Sequence, residues 1–131
     1  PFDAGAEVYL PDVKERGADK TNGEIYFNLK AQTWALVAQQ FYNTYRFIVL
    51  GERDIKPEDM ISLDVEDDVT FRNLAREFSS PLWVRSGTNS KKKVESKKDM
   101  EKRTGQKSPN VADGIVMTRS PAIPKFSYSN M

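Results

Sequence analysis

The chain has 131 residues, of which 38% are hydrophobic and 30% charged, and its formal net charge is +1. This length suits one domain with a modest core, because the apolar content is below that of an average globular chain. The absence of histidine and cysteine excludes imidazole bases, cysteine nucleophiles, disulfides and Cys/His zinc sites within it. Carboxylates remain, and clustered carboxylates most naturally hold magnesium or manganese.

The sequence contains no apolar run that approaches the ~20 residues needed to cross a bilayer. Its first residues, Pro1 to Gly5, are neither an initiator methionine nor a signal peptide. They are typical of a strand and turn entered from the middle of a domain. We therefore expect an excised segment of an intracellular protein without membrane contact.

The longest predicted element is an amphipathic helix. Thr21 and Glu24 have the spacing of a capping box, so we expect a long helix to begin there. Its apolar residues should pack in the core and not stack on bases, because the aromatics share one face with alanine. Steps of three or four residues over about six turns define that face: Phe27, Ala31, Trp34, Ala38, Phe41 and Tyr45.

Opposite charges are segregated in the second half of the chain. Residues 54–68 contain seven acidic residues and one lysine, whereas residues 85–107 are dominated by lysine and arginine. The acidic run lacks the spaced ligands and the glycine of a calcium loop, so we predict a solvated connection with one short turn. A second helix should run from about Thr70 to Phe78 and end before Pro81. We expect its inward residues to be Phe71, Leu74, Ala75 and Phe78.

A basic β-hairpin is predicted at about residues 82–95. Two short apolar or basic segments flank residues 86–90, Ser-Gly-Thr-Asn-Ser, which are typical of a flexible turn. The hairpin carries several cations that can follow a phosphate backbone and gain affinity from counterion release. Lysines at a hairpin tip also commonly do no more than keep a strand edge soluble.

Two short helices are predicted after the hairpin. Ser96 and Asp99 have capping-box spacing, and Gly105 suits a helix C-terminus, which predicts a basic helix from Lys97 to Arg103. Ser108 as N-cap and Pro109 as first helical residue predict a last helix with Asp113 in its second turn. From spacing alone, such a carboxylate is a surface aspartate stabilised by ~0.3–1 kcal/mol through the helix dipole. The expected core residues are Val111, Ala112, Ile115 and Val116.

Two motifs near the end of the chain resemble a known family. Residues 95–100, Glu-Ser-Lys-Lys-Asp-Met, are followed after a short turn by residues 108–114, Ser-Pro-Asn-Val-Ala-Asp-Gly. Together they resemble the C-terminal end of the nuclease domain of a viral terminase large subunit, the DNA-packaging protein of tailed bacteriophages. The helix at residues 22–46 and the Phe-Asp-Ala-Gly segment at residues 2–5 are similar to its upstream parts. The sequence departs from the family at Gly114, where alanine is common.

The resemblance implies a ribonuclease H-like α/β fold, in which a central sheet presents acidic residues to two divalent ions about 4 Å apart. It implies that Asp113 is the last metal-binding, catalytic aspartate. The other two metal-binding aspartates of the family lie on strands ahead of the point that matches Pro1, outside this sequence. The hairpin beside the metal site would steer or gate DNA. The expected DNA-binding residues are Arg85, Lys91, Lys92, Lys93, Lys97 and Lys98.

We therefore expect a partial domain with its N-terminal sheet strands missing. Residues 1–118 would be the C-terminal portion of a terminase-type nuclease domain, with a long central helix, the hairpin and short C-terminal helices. Residues 119–131, which contain two prolines and several serines, would form a flexible tail.

The implied function is that of a metal-dependent endonuclease, which cuts concatemeric double-stranded DNA during viral genome packaging in the host cell cytoplasm. This segment alone would be inactive. The implied partners are DNA, an ATPase domain of the same parent chain, the terminase small subunit and the portal ring. The sequence has no Gly-rich phosphate loop, so it should not hydrolyse ATP. The alternative is a non-catalytic nucleic-acid-binding or interaction module that uses the basic hairpin.

Overall fold

The computed structural model describes residues 3–86 and 90–122, except for the side chain of Ser86. Three parts of predicted elements lie outside the described residues: residues 1–2 of the strand and turn, residues 87–89 at the hairpin tip, and residues 123–131 of the tail. Within the described part, no helix is long and apolar enough to cross a membrane. The elements in chain order are α1 (Asn22–Ile25), α2 (Leu29–Ile48), a 3-10 helix (Pro57–Asp59), α3 (Asp68–Ser79), β1 (Trp83–Ser86), β2 (Lys91–Val94), α4 (Lys97–Thr104) and α5 (Asn110–Thr118).

The predicted long helix is divided into two helices. The capping box forms, since Thr21 Oγ1 accepts a hydrogen bond from Glu24 N and the Glu24 carboxylate accepts one from Thr21 N. However, α1 has four residues. Phe27 N donates a hydrogen bond of 2.8 Å to the Lys92 carbonyl, which holds the chain in an extended form beside β2. The helix starts again at α2, where Asn28 Oδ1 caps Ala31 N at 3.0 Å. The predicted start was therefore wrong, because a tertiary backbone contact interrupts the helix.

The buried face of α2 differs from the predicted one. Ala31 and Trp34 are buried as expected, whereas Phe27 and Tyr45 are 45% and 48% exposed and Ala38 is also exposed. Val37, which the prediction omitted, is 1% exposed. The residues that are covered depend on where α5 and β2 pack against the helix, and periodicity alone does not determine this.

The acidic connection and α3 are mostly exposed, although Ile61 of the connection belongs to the buried core. The connection contains the predicted single turn, the 3-10 helix. Asp67 caps α3 through its Oδ1, which accepts from Thr70 N at 2.8 Å. Leu74 is buried and Phe78 half-buried, but Phe71 and Ala75 are exposed, so these two were wrongly predicted to face inward. The covered face of α3 is narrower than its apolar pattern suggested.

The hairpin forms as predicted. β1 and β2 pair antiparallel, with Trp83 opposite Val94 and Arg85 opposite Lys92. Val94 is 7% exposed and belongs to the main core cluster. β2 therefore joins the hairpin to the core.

The two last helices follow the hairpin, with small differences from the prediction. Ser96 Oγ accepts from Asp99 N at 3.1 Å, and Gly105 ends α4 with a φ of +68°. The N-cap of α5 is Pro109 and not Ser108, which places Asp113 in the first turn and not the second. Val111 is 57% exposed, contrary to prediction, while Ala112 and Val116 are buried.

The core lies where α2, β2 and α5 meet. Phe78 of α3 covers one side of it, with its ring centroid 5.0 Å from that of Phe41 and 6.2 Å from that of Trp34. The buried apolar cluster consists of Ala31, Trp34, Val37, Ile61, Val94, Ala112 and Val116.

Candidate metal and DNA-binding site

Asp113 is a buried carboxylate at the start of α5. Its residue is 5% exposed, and its backbone N donates to the Pro109 carbonyl at 2.8 Å. Its neighbours Ala112 and Val116 are core residues, so the helix is held firmly against the body of the protein. The sequence had favoured a surface aspartate on spacing alone, but the carboxylate is enclosed.

Lys97 is the partner of this carboxylate. Its Nζ lies 3.1 Å from Asp113 Oδ2, and its side chain remains 50% exposed. Ser96 caps α4 immediately before it and fixes the point at which the helix begins. Within residues 3–86 and 90–122, this is the one ion pair that Asp113 makes. The pair therefore joins a buried anion to a half-exposed cation.

A second buried carboxylate, Glu95, lies two residues before Lys97. Arg103 binds it through two bonds, from Nε to Oε1 at 2.9 Å and from an NH2 nitrogen to Oε2 at 2.8 Å. Leu82 N also donates to Oε2, at 3.3 Å. The hydrogen bonds from Arg103 hold the pKa of Glu95 below its usual value, although burial opposes this. The same bonds raise the pKa of Arg103.

The two buried carboxylates differ in their availability to a further ligand. Both oxygens of Glu95 accept from a guanidinium in a bidentate arrangement, which is strong and directional. In the described part of the chain, the Asp113 carboxylate pairs only with the ammonium group of Lys97, and the flexible lysine side chain can move this group into solvent. Glu95 therefore holds α4 against the hairpin through both of its oxygens. Asp113, with one mobile partner, can accept another cation.

Asp113 is one candidate metal ligand, and the described residues around it do not form a complete metal site. A carboxylate on a rigid helix suits a hard divalent ion. However, among the described residues, no group of three or more acidic side chains could hold a metal. The acidic side chains of residues 54–68 are included in this statement. A two-metal centre would need further carboxylates.

The predicted DNA-binding cations occupy two elements. Arg85 and Lys92 are cross-strand neighbours on the hairpin, and an NH1 nitrogen of Arg85 donates to the Ser90 carbonyl at 2.9 Å. Lys97 and Lys98 are exposed at the start of α4. Of this set, only Lys97 forms an ion pair with Asp113 in the described part of the chain. Lys91 and Lys93 complete the set on β2 and are half-buried.

Arg103 is a residue of this region whose role the sequence analysis missed. The sequence spacing contained a signal for this role. Arg103 follows the cap Ser96 by two helical turns, so the two residues lie on the same face of the helix. Glu95 precedes that cap. An arginine at this spacing can reach back to the carboxylate that introduces the helix.

No protein-family model matches the sequence, and no curated protein matches it either. Solved structures do match. The nuclease domain of the large terminase subunit gp2 of bacterial virus Sf6 has a TM-score of 0.81 and 27% identity, over 95% of this chain and 53% of that one. A lysine-to-alanine mutant of that domain with manganese and beta-thujaplicinol gives a TM-score of 0.82 at 26% identity, with the same coverage.

A calcium-containing structure of a mutant of the same Sf6 protein has a TM-score of 0.80 and 26% identity, over 94% of this chain and 52% of that one. The chain thus spans about half the length of these structures. Its mixed helices and small antiparallel sheet agree with the expected α/β, ribonuclease H-like fold of a partial domain. In fold, motif order and sequence, the chain is therefore similar to about half of the nuclease domain of this viral large terminase subunit.

Proposed function

We propose that the chain is the C-terminal portion of a metal-dependent endonuclease domain that cuts concatemeric double-stranded DNA during viral genome packaging. The single observation that carries this proposal is the buried, incompletely partnered carboxylate of Asp113 on a terminase-type nuclease fold. A buried charge is costly unless it is paired or binds a metal. Lys97 meets part of that need from a half-exposed position.

In the intact enzyme, Asp113 would be a catalytic metal ligand, and the remaining ligands would come from outside this sequence. Magnesium or manganese bound there would activate water for attack on a phosphodiester and stabilise the departing 3′ oxygen. The residues of this chain have supporting tasks: α5 orients the carboxylate, and Lys97 neutralises it when no other cation is near. Glu95 and Arg103 fix the end of α4 that carries Lys97.

The hairpin cations would hold the DNA. Arg85, Lys91, Lys92 and Lys93 can contact phosphates, and Lys97 and Lys98 extend the basic surface toward Asp113. Further partners would be an ATPase domain of the same parent chain, the terminase small subunit and the portal ring. The protein would act in the host cell cytoplasm, away from membranes.

The decisive experiment is plasmid cleavage with magnesium or manganese by the complete domain, formed by restoring the residues that precede this chain. We expect Asp113→Asn to abolish cleavage while the circular dichroism spectrum shows that the variant is folded like the parent. The matched control is Asp99→Asn, because Asp99 is an exposed carboxylate on the neighbouring helix. Unchanged cutting by a folded Asp113→Asn domain would refute the nuclease proposal.

A non-catalytic nucleic-acid-binding module is the second candidate, supported by the density of cations on the hairpin. It predicts no metal-dependent cleavage by the complete domain, and DNA affinity that falls when Lys91, Lys92 and Lys93 are neutralised. Asp113→Asn would leave that affinity unchanged. The two candidates therefore differ in the effect of a single carboxylate.

A further inference from the structure

Phe27 lies beside strand β2 of the hairpin and is partly exposed to solvent. Tyr26 forms a parallel bridge with Lys92, and Phe27 N donates to the Lys92 carbonyl at 2.8 Å. Residues 26–27 therefore act as a short third strand beside β2. The backbone at Phe27 is held by this bond and by the start of α2, so its ring has a defined position although it is 45% exposed.

The hairpin register shows which side chains share this surface. Val84 lies opposite Lys93, and paired residues of an antiparallel ladder project to the same face. Lys93 Nζ lies 4.7 Å from the centroid of the Phe27 ring, so Phe27 is on that face too. Lys91, two residues before Lys93 on the same strand, also projects there. We call Val84, Lys93, Phe27 and Lys91 the outer face of the hairpin.

The outer face combines a half-exposed aromatic ring, with Lys93 Nζ over it, and a second cation, Lys91. An exposed ring on a sheet, flanked by lysines, is the arrangement that binds unpaired nucleotides, since a base stacks on the ring and the cations hold adjacent phosphates. Duplex DNA cannot use the ring in this way because its bases are stacked on one another. It can use the cations alone.

We propose that the outer face is a stacking platform for unpaired DNA, with Phe27 as the stacking residue and Lys91 and Lys93 as phosphate contacts. This inference rests on the proposed DNA-processing function and assigns a class of DNA to the hairpin. The platform engages a frayed or single-stranded segment next to the duplex that is cut. Phe27 is thereby a binding residue and not a catalytic one.

Trp83 provides a matched control. It is exposed to almost the same extent, 47%, and it too lies near a lysine, with Lys92 Nζ 5.9 Å from its ring centroid. However, it pairs with Val94 and so projects to the opposite face of the hairpin, away from Phe27. A general loss of apolar surface or of hairpin stability would affect variants of both residues.

The test is fluorescence anisotropy in EDTA with a labelled oligodeoxythymidine and a labelled blunt duplex, for both the 131-residue chain and the complete domain. Phe27→Ala should weaken oligodeoxythymidine binding roughly five- to a hundredfold and change duplex binding less than about twofold. Phe27→Tyr should restore the affinity, and Trp83→Ala should leave it near that of the parent. The proposal is overturned if Phe27→Ala weakens single-strand and duplex binding equally, or if Phe27→Ala and Trp83→Ala weaken oligodeoxythymidine binding equally. It is also overturned if Phe27→Ala does not weaken oligodeoxythymidine binding by the complete domain.

A second measurement keeps the proposal testable if Phe27→Ala is poorly folded. In a Trp83→Phe background, Phe27→Trp places an indole on the outer face, and the buried Trp34 remains as a constant background. Quenching of that indole by oligodeoxythymidine supports stacking, and its absence refutes it. Cleavage assays with Asp113→Asn are independent of these readouts, so failure of the platform and failure of the nuclease proposal can be told apart.

Discussion

Lys97 Nζ lies 3.1 Å from Asp113 Oδ2, and this contact ties the first turn of α4 to the first turn of α5. The two residues are far apart in sequence and differ in burial, since Asp113 is enclosed and Lys97 is half-exposed. The ion pair is therefore both a structural link between the helices and a supply of positive charge to the candidate metal ligand.

Removal of Lys97 should destabilise the protein by leaving Asp113 buried and unpaired. We expect Lys97→Met to lower the free energy of unfolding by roughly 1–3 kcal/mol, as measured by urea denaturation. In a double-mutant cycle with Asp113→Asn, the coupling energy should exceed about 0.5 kcal/mol. Lys98→Met is the control, because Lys98 is exposed and should change stability by less than about 0.5 kcal/mol. A coupling energy of zero would show that the pair does not form in solution.

Acid should destabilise the fold through carboxylates whose pKa is lowered on folding. Hydrogen bonds from Arg103 lower the pKa of Glu95, and backbone hydrogen bonds lower those of Glu24 and Asp67. Each folded-state pKa lies below the ordinary pKa of the group, which is 4.5 for glutamate. The stabilisation is therefore fully present at a pH above the ordinary pKa. It is lost as the pH falls through the folded-state pKa.

Glu95→Gln should therefore lower the unfolding temperature at neutral pH and make it less sensitive to acidification below about pH 4.5. The measurement is a series of thermal melts between about pH 3 and pH 7. Glu101→Gln, an exposed glutamate of α4, should keep the acid sensitivity of the parent. Identical pH profiles for Glu95→Gln and the parent would contradict the assigned role of the Arg103 bonds.

The second start of the long helix should depend on Asn28. Its Oδ1 accepts from Ala31 N at 3.0 Å, and loss of an N-cap of this kind costs about 0.5–2 kcal/mol. We expect Asn28→Ala to reduce stability by this amount in urea denaturation. Asn73→Ala, at an exposed position within α3, removes the same side chain without removing a cap. A loss for Asn73→Ala as large as that for Asn28→Ala would mean that the cap is not the cause.

The hairpin cations should determine the salt dependence of DNA binding. Each of Lys91→Gln, Lys92→Gln and Lys93→Gln should reduce the slope of log affinity against log salt concentration by about 1, provided that the lysine contacts a phosphate. Arg85→Gln should behave in the same way, and Lys97→Gln and Lys98→Gln should have smaller effects. The control is Lys56→Gln in the exposed acidic connection. Slopes that do not change in any hairpin variant would exclude the hairpin as a DNA contact.

The extent of the nuclease segment remains a prediction at its C-terminal end. The boundary after residue 118 coincides with the last residue of α5. Arg119, the first residue of the predicted tail, nevertheless contacts the body of the protein, because its Nε donates to Gln40 Oε1 at 3.0 Å. Ser120 is also buried. Arg119 and Ser120 thus contact the body of the protein, and a flexible tail at residues 119–131 stays a prediction.

The sequence by itself determined the features that depend on neighbouring residues. The capping residues Thr21 and Ser96, the positive φ of Gly105 and the two strands around a short turn are all local. Their signals act within a few residues, through hydrogen bonds to the backbone and steric limits on φ. The resemblance to terminases likewise came from two short motifs, and the fold agrees with it.

Only the tertiary structure decided which surfaces are covered. Phe27 is not part of the buried helix face because its backbone pairs with Lys92. Phe71 and Val111 are exposed because no other described element packs over them. The partnership of Asp113 with Lys97 also depends on how α4 and α5 pack. An apolar pattern identifies a helix face, but burial and ion pairing depend on elements that are distant in the chain, and periodicity carries no information about their positions.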